Sequence, residues 1–254
     1  MSLISKEDLF LGVPYNIGNI CKVHQLTLNE IKETIGMEKY QYYINLFTME
    51  KEDLVEIQKK KGEQNLPQLK EDLTIFQYIM MSAALDNFFF LDLKQGISTF
   101  IKEEVLIAPK KCIIIVGDPK DKKIITEKEF SEFAIALRLF NKMKIKEPPP
   151  ENETPMQRKF RLKREERDRV KAKQQQNDEN GATFSDIMSS LCTMNVGITA
   201  LNIGEHTIYQ IKDLLERAQA RETYYTELDM LMAGADSKKI KPQHYVRNLQ
   251  KEVS

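Results

Sequence analysis

Residues 112–140 read CIIIVGDPKDKKIITEKEFSEFAIALRLF, and this stretch predicts the mixed character of the fold. The β-branched run 112–116 favours a strand, the letters GDPKD that follow are typical of a turn, and 123–125 suits a return strand. Thr126 and Glu129 have the spacing of a capping box, so a helix should begin directly after this hairpin. The predicted fold class is therefore mainly α with a small β-hairpin (α+β).

A second capping box and a long apolar stretch extend the helical character toward the N terminus. Thr27 and Glu30 lie three residues apart, and Gly36 suits the left-handed position that follows a helix. Farther along, 69–93 is the most apolar part of the chain. Its end holds three aromatic residues that suit either a core or a partner-binding surface, and only their exposure distinguishes the two. These residues are Phe88, Phe89 and Phe90.

The character of the sequence changes at Glu147, where the letters EPPPENETP interrupt the helical periodicity. Proline cannot continue a helix, so this stretch predicts an extended spacer, and the basic, polar run after it has little to bury. The sequence therefore predicts three parts. They are 1–146, a mostly helical N-terminal domain with the hairpin near 112–125; 147–182, a Pro/Glu-rich and then basic linker; and 183–254, a C-terminal helical module.

The C-terminal module contains the longest predicted helix, from Thr207 to Met232. Apolar side chains recur along one side of it, and Glu222 interrupts them, so no strict heptad seam is predicted. Gly234 suits the end of this helix. The apolar side chains form a second candidate partner-binding surface: Ile208, Ile211, Leu215, Tyr225, Leu228 and Met232.

No constellation in the sequence indicates catalysis, a metal or a cofactor. It contains no phosphate-binding loop, no nucleophile elbow and no paired spacing of metal ligands. Cys21, Cys112 and Cys192 are widely spaced, which favours reduced packing residues over a disulfide framework. The 38 basic and 38 acidic residues balance, and no apolar run reaches the length of a membrane span. We expect a non-enzymatic protein of the cytoplasm.

The basic part of the predicted linker leaves three interpretations open. It is a solvated linker, a docking segment for an acidic protein, or a rod along nucleic-acid phosphates, in that order of preference. Only one aromatic side chain, Phe160, accompanies the charges, and acidic residues are interspersed, which disfavours nucleic acid. The basic residues are Arg158, Lys159, Arg161, Lys163, Arg164, Arg167, Arg169, Lys171 and Lys173.

A recurring pattern occupies the C-terminal run NIGEHTIYQIKDLLERAQARETYYTELDMLMAGADSKKIKPQHYVRNL. It combines a T-x-Y-Q helix, an A-G-A-D turn, K-K-I-K and an aromatic residue. Its positions are Thr207, Tyr209, Gln210, Asp213, Arg217, Ala233, Gly234, Ala235, Asp236, Lys238, Lys239, Ile240, Lys241 and Tyr245. Together with the opening P-Y-x-I-G, the helix LTLNEIKETIG and the segment IITEKEFSEF, this pattern resembles tail assembly proteins of tailed phages that infect Gram-positive bacteria.

The resemblance implies a tail assembly chaperone that acts in the host cytoplasm. Such a protein binds the tape measure protein, a long, hydrophobic, helix-rich chain, and keeps it soluble until tail tube subunits polymerise around it. The implied partners are the tape measure protein and, secondarily, tail tube subunits or a second copy of the chain. Two other functions stay open: a structural tail or baseplate protein of the virion, and a nucleic-acid-binding factor that uses the basic segment.

Overall fold

The chain forms two compact units, and the first of them is discontinuous in sequence. A computed structural model describes residues 4–51, 53–54, 73–121, 123–145, 152–161, 163–164, 167, 183–194 and 197–246. The first unit comprises Met1–Lys144 together with Gly204–Glu216. The second unit comprises Ile145–Ile203 and Arg217–Ser254. The long C-terminal helix therefore begins in the first unit and continues in the second.

Helices dominate both units, and the prediction of a mainly α fold with a small amount of β structure is confirmed. In the first unit the helices are α1 (Lys6–Phe10), α2 (Leu28–Thr34), α3 (Met37–Thr48), α4 (Ile75–Leu85), α5 (Asn87–Ile101) and α6 (Glu127–Phe140). The helix α7 (Phe184–Thr193) lies in the second unit, and α8 (Ile208–Met232) extends through both.

The described residues of the first unit include two small antiparallel sheets. The strands are β1 (Tyr15–Ile17), β2 (Cys21–Val23), β3 (Val105–Ala108), β4 (Ile113–Val116) and β5 (Ile124–Ile125). The predicted hairpin is present as β4 and β5, in which Ile115 pairs with Ile124. On its other edge β4 pairs with β3, and β1 pairs with β2 in a separate sheet, so the structure adds a third strand and a second hairpin to the prediction.

The predicted capping boxes begin their helices as expected. The Thr27 N–H donates to the Glu30 carboxylate (2.9 Å), and the Glu30 N–H donates to Thr27 Oγ1 (3.2 Å). Thr126 and Glu129 make the equivalent contacts before α6. Gly36 follows α2 with φ 79° and ψ 159°, an extended conformation with positive φ that only glycine adopts readily. Its predicted place is right, but its backbone is extended instead of left-handed helical, because α3 begins immediately after it.

A cluster of aromatic rings forms the core of the first unit. Phe47 on α3 lies 5.3 Å from Phe133 on α6 and 6.2 Å from Phe100 on α5, measured between ring centroids. The edge-to-face geometry of both pairs is the favourable one for aromatic quadrupoles. Gly96 on α5 allows the close approach of α3, because a Cβ at this position would lie 2.9 Å from the rings of Phe47 and Tyr43.

Gly96→Ala is expected to lower the free energy of unfolding by about 1–3 kcal/mol, because the added methyl group forces the two rings apart in a closely packed core. Helix propensity alone predicts the opposite sign, a gain of about 1 kcal/mol. Chemical denaturation of the variant separates the two effects. Thr99→Ala on the same helix is the control, with an expected change within about 0.5 kcal/mol. A Gly96→Ala variant as stable as the wild type would contradict the described packing of α3 on α5.

Residues 204–216 complete the first unit. Thr207 forms a β-bridge with Thr27, and the Leu28 N–H donates to the His206 carbonyl (3.0 Å). Ile208, Tyr209 and Ile211 are buried. The start of α8 is therefore part of the core that α1 to α6 build, although it follows them by a long stretch of sequence.

In the second unit, the predicted end of the long helix is confirmed at Gly234. This glycine has φ 95°, and the Ala235 N–H donates to the Met230 carbonyl (3.0 Å), as in a glycine-terminated helix. Most of the predicted linker 147–182 lies outside the described residues. Residues 155–161, 163–164 and 167 are helical. None of the helices that the structure describes combines the length and hydropathy that a bilayer crossing requires.

Candidate partner-binding site

The structure separates the nine apolar residues singled out in the sequence into buried and exposed groups. Ile208 and Ile211 are core residues of the first unit. Phe89, Phe90, Leu215 and Leu228 are half-buried. Phe88, Tyr225 and Met232 are exposed. The stripe on α8 is therefore not one continuous surface: its N-terminal part packs inside the first unit, and its exposed members follow in the second.

Four exposed apolar side chains lie on the two helices that meet where α4 passes to α5, and we call this surface the apolar corner. It consists of Met81, Leu85, Phe88 and Leu91, with exposed fractions of 41%, 68%, 86% and 54%. Met81 and Leu85 are four residues apart on α4, and Phe88 and Leu91 are three apart on α5, so each pair lies on one face of its helix. An exposed group of this kind marks an interaction site more often than scattered surface residues do.

Local backbone chemistry holds the apolar corner in place. The Asp86 N–H donates to the Ser82 carbonyl (3.0 Å) and ends α4. The Asp86 carboxylate then accepts from the Phe88 N–H (2.8 Å) and the Phe89 N–H (3.2 Å) and caps α5. Because one residue ends the first helix and begins the second, the Phe88 backbone is fixed while its side chain projects away from the core.

Acidic and phenolic groups line the edge of the apolar corner. The Tyr43 hydroxyl donates to Asp92 Oδ1 (3.0 Å), and Lys39 Nζ pairs with the same oxygen (2.9 Å). Desolvation, followed by the charges of Asp92 and Asp86, raises the pKa of Tyr42 to about 12. The Tyr42 phenol therefore stays neutral. The arrangement of apolar residues inside a polar edge is the usual anatomy of a protein interface.

A second candidate surface, the aromatic cleft, lies in the second unit between α8 and the residues after Gly234. Its volume is about 610 Å³, and its lining residues are Arg221, Glu222, Tyr225, Thr226, Asp229 and Tyr245. The Tyr225 and Tyr245 ring centroids are 6.3 Å apart, and His244 stacks on Tyr245 at 4.5 Å. Tyrosine and arginine are enriched at protein interfaces because they combine apolar area with hydrogen-bonding groups, which makes the aromatic cleft a candidate binding surface.

The T-x-Y-Q motif of the sequence has a structural role in the first unit. Thr207 and Gln210 cap the start of α8, since the Thr207 N–H donates to Gln210 Oε1 (2.8 Å). Gln210 Nε2 also donates to the Phe10 carbonyl (2.7 Å). Asp213 pairs with Lys142 Nζ (3.0 Å). Lys142 is a residue that the sequence reasoning missed, because nothing near residue 142 signals a partner 71 residues away.

The basic segment is only partly described. Arg158, Lys159, Lys163, Arg164 and Arg167 are exposed, whereas Arg169, Lys171 and Lys173 lie outside the described residues. Arg161 binds the Glu153 carboxylate with two hydrogen bonds, of 2.8 and 3.0 Å. At least one of the basic side chains is therefore engaged within the chain itself.

The described residues hold no group of three or more His, Cys, Asp or Glu side chains with the proximity that metal binding requires. Burial, followed by the charge of Glu103, raises the pKa of the Cys21 thiol to about 12. This thiol therefore stays protonated at neutral pH, which is the less nucleophilic form.

Comparison with known protein families gives a match over the C-terminal part of the chain. The family model of the YomV second domain matches residues 172–250, a range that contains α7, α8 and the aromatic cleft. YomV is a protein of a Bacillus phage region. Neither the curated proteins nor the solved structures contain a match. Over its C-terminal third this chain is thus similar to a domain of a phage-region protein.

Proposed function

We propose that this protein is a non-enzymatic tail assembly chaperone of a phage, which binds the tape measure protein in the host cytoplasm and keeps it soluble without a cofactor. The observation that carries the proposal is the apolar corner, where four large side chains stand exposed on two consecutive helices. The match of residues 172–250 to a domain of a phage-region protein supports a phage context.

The chemistry of the apolar corner suits a helical, hydrophobic partner. Phe88 and Leu91 repeat at helical spacing, so a partner helix can place its own apolar residues between them. Met81 adds an unbranched side chain that adapts to different neighbours, which favours binding of many similar segments along a long chain. A partner that buries these side chains removes apolar area from water, which is the main driving force of protein association.

The Asp86 carboxylate at the edge of the corner favours partners with a basic residue beside their apolar ones. Asp86 lies between Leu85 and Phe88 in the sequence and is exposed, whereas Asp92 is already paired with Lys39. Charges at an interface edge affect the association rate and the choice of partner more than the final affinity. The aromatic cleft then provides a second contact for the same extended partner.

The direct test is co-expression with the tape measure protein encoded in the same phage genome. We expect most of the tape measure protein to stay in the soluble fraction with the chaperone and to precipitate without it. An unchanged soluble fraction would count against the proposal. Purified virions distinguish the structural alternative, because a chaperone is absent from mature particles whereas a tail or baseplate protein is present in them.

A further inference from the structure

The segment 204–216, which we call the closing segment, binds a surface of the first unit through side chains and backbone. We call that surface the closing groove, and it is formed by the end of α1, the start of α2 and the end of α6. The closing segment is joined to the rest of its unit only through Ile145–Ile203, which belongs to the second unit. The interaction therefore joins two parts of the chain that are remote in sequence.

Apolar burial supplies the first part of this interaction. Ile208, Tyr209 and Ile211 are all at most 5% exposed. Ile208 lies with Tyr40 and Phe140 around a space too small to hold a water molecule. The closing groove covers three large apolar side chains in close contact. It therefore exposes an apolar surface whenever the closing segment is not bound.

Polar contacts supply the second part and fix the register. Lys142 Nζ pairs with Asp213 (3.0 Å) and Glu216 (2.6 Å) and lies 5.4 Å from the Tyr209 ring centroid. Lys212 Nζ donates to the Asn141 carbonyl (2.8 Å). Burial of the same ammonium group lowers the pKa of Lys212. The Lys142 ammonium group of the closing groove thus binds two carboxylates of the closing segment. A helix bound in another register would not place both carboxylates beside it.

We propose that the closing groove also binds the closing segment of a second copy of this chain, so that two chains exchange residues 204–216. The contacts of the exchanged form are the same as those within one chain, which makes exchange a low-cost route to a dimer. For a short flexible connection, the closing segment meets its own groove at an effective concentration on the order of millimolar, and a longer connection lowers that concentration. Exchange is therefore favoured where the local concentration of the chain is high. This inference goes beyond the proposed function and does not depend on it.

Charge reversal separates exchange from intrachain closure. One full-length variant carries Lys142→Glu, and the other carries Asp213→Lys with Glu216→Lys. Each repels its own closing segment, but between the two chains both pairings are complementary. Co-expressed with different affinity tags, the two variants are expected to co-purify at least 10-fold more than either variant with itself, and light scattering should give the mass of a dimer.

A chain that combines all three substitutions is the control, because its complementary charges lie within one molecule. We expect it to be a folded monomer at dilute concentration. A folded monomeric control together with no heterodimer of the two variants overturns the proposal. If the separate variants do not fold, the wild-type chain refolded at roughly millimolar concentration provides the second test. A dimer in that sample supports exchange, and monomer alone overturns it.

Discussion

Lys142→Met is expected to lower the free energy of unfolding of the first unit by about 3 kcal/mol, at the lower end of the range for breaking a buried ion pair. The Lys142 and Asp213 side chains are only 7% and 12% exposed. Removing the ammonium group leaves the Asp213 carboxylate in a poorly solvated site without this counter-charge. Methionine keeps most of the volume of the lysine side chain, so the loss reports the charge and not a cavity.

The backbone at Lys142 favours glycine, so the presence of lysine there needs a separate explanation. The Lys142 N–H donates to the Leu139 carbonyl (3.0 Å) and the Met143 N–H to the Arg138 carbonyl (2.9 Å), which is the Schellman arrangement after α6. The position usually holds glycine, and Lys142 adopts it with φ 51°. A left-handed non-glycine residue costs on the order of 1 kcal/mol. We infer that the two ion pairs offset this cost.

Urea denaturation of the wild type and Lys142→Met measures the difference. Lys39→Met is the matched control, because Lys39 pairs with Asp92 at a similar distance (2.9 Å) but both side chains are partly exposed. An exposed pair contributes only about 0–1 kcal/mol. Equal losses in the two variants would show that burial of the Lys142 pair has no energetic consequence, contrary to the docking described for residues 204–216.

The double variant Phe88→Ser with Leu91→Ser is expected to weaken binding of the tape measure protein by roughly 30-fold or more. Loss of a central aromatic residue from an interface typically costs about 2 kcal/mol or more, and the second substitution removes its helical neighbour. Both side chains are exposed in the free protein, so stability should change by no more than about 0.5 kcal/mol.

Leu201→Ser is the control for this variant. Leu201 is 96% exposed and lies in the other unit, outside both candidate surfaces. A pull-down titration with immobilised tape measure protein compares the three chains, and circular dichroism confirms that each is folded. If the double variant binds as tightly as Leu201→Ser, the apolar corner is not the binding surface.

Local patterns in the sequence predicted local structure well. The β-branched run, the turn residues and the capping box of residues 112–140 correspond to β4, β5 and α6 in order. Thr27 with Glu30 and Gly234 likewise mark helix ends where expected. These signals succeed because the hydrogen bonds that they represent join residues only a few positions apart.

Periodicity could not predict which part of a helix face is covered. Ile208, Tyr225 and Met232 belong to one apolar stripe, yet the structure buries the first and exposes the other two. The difference depends on Lys142 and on the groove beside it, which lie far away in sequence. In the same way, three consecutive phenylalanines gave no indication that Phe88 alone would be largely exposed, since that depends on how Asp86 joins α4 to α5.

Hydroxyl-radical footprinting of the complex with the tape measure protein tests the central claim most directly, because it reports the solvent exposure of individual side chains. We predict that oxidation of Met81, Leu85, Phe88 and Leu91 falls several-fold on binding, while oxidation of Leu201 stays unchanged. A stable complex in which the side chains of the apolar corner are oxidised as fast as in the free protein would contradict the account.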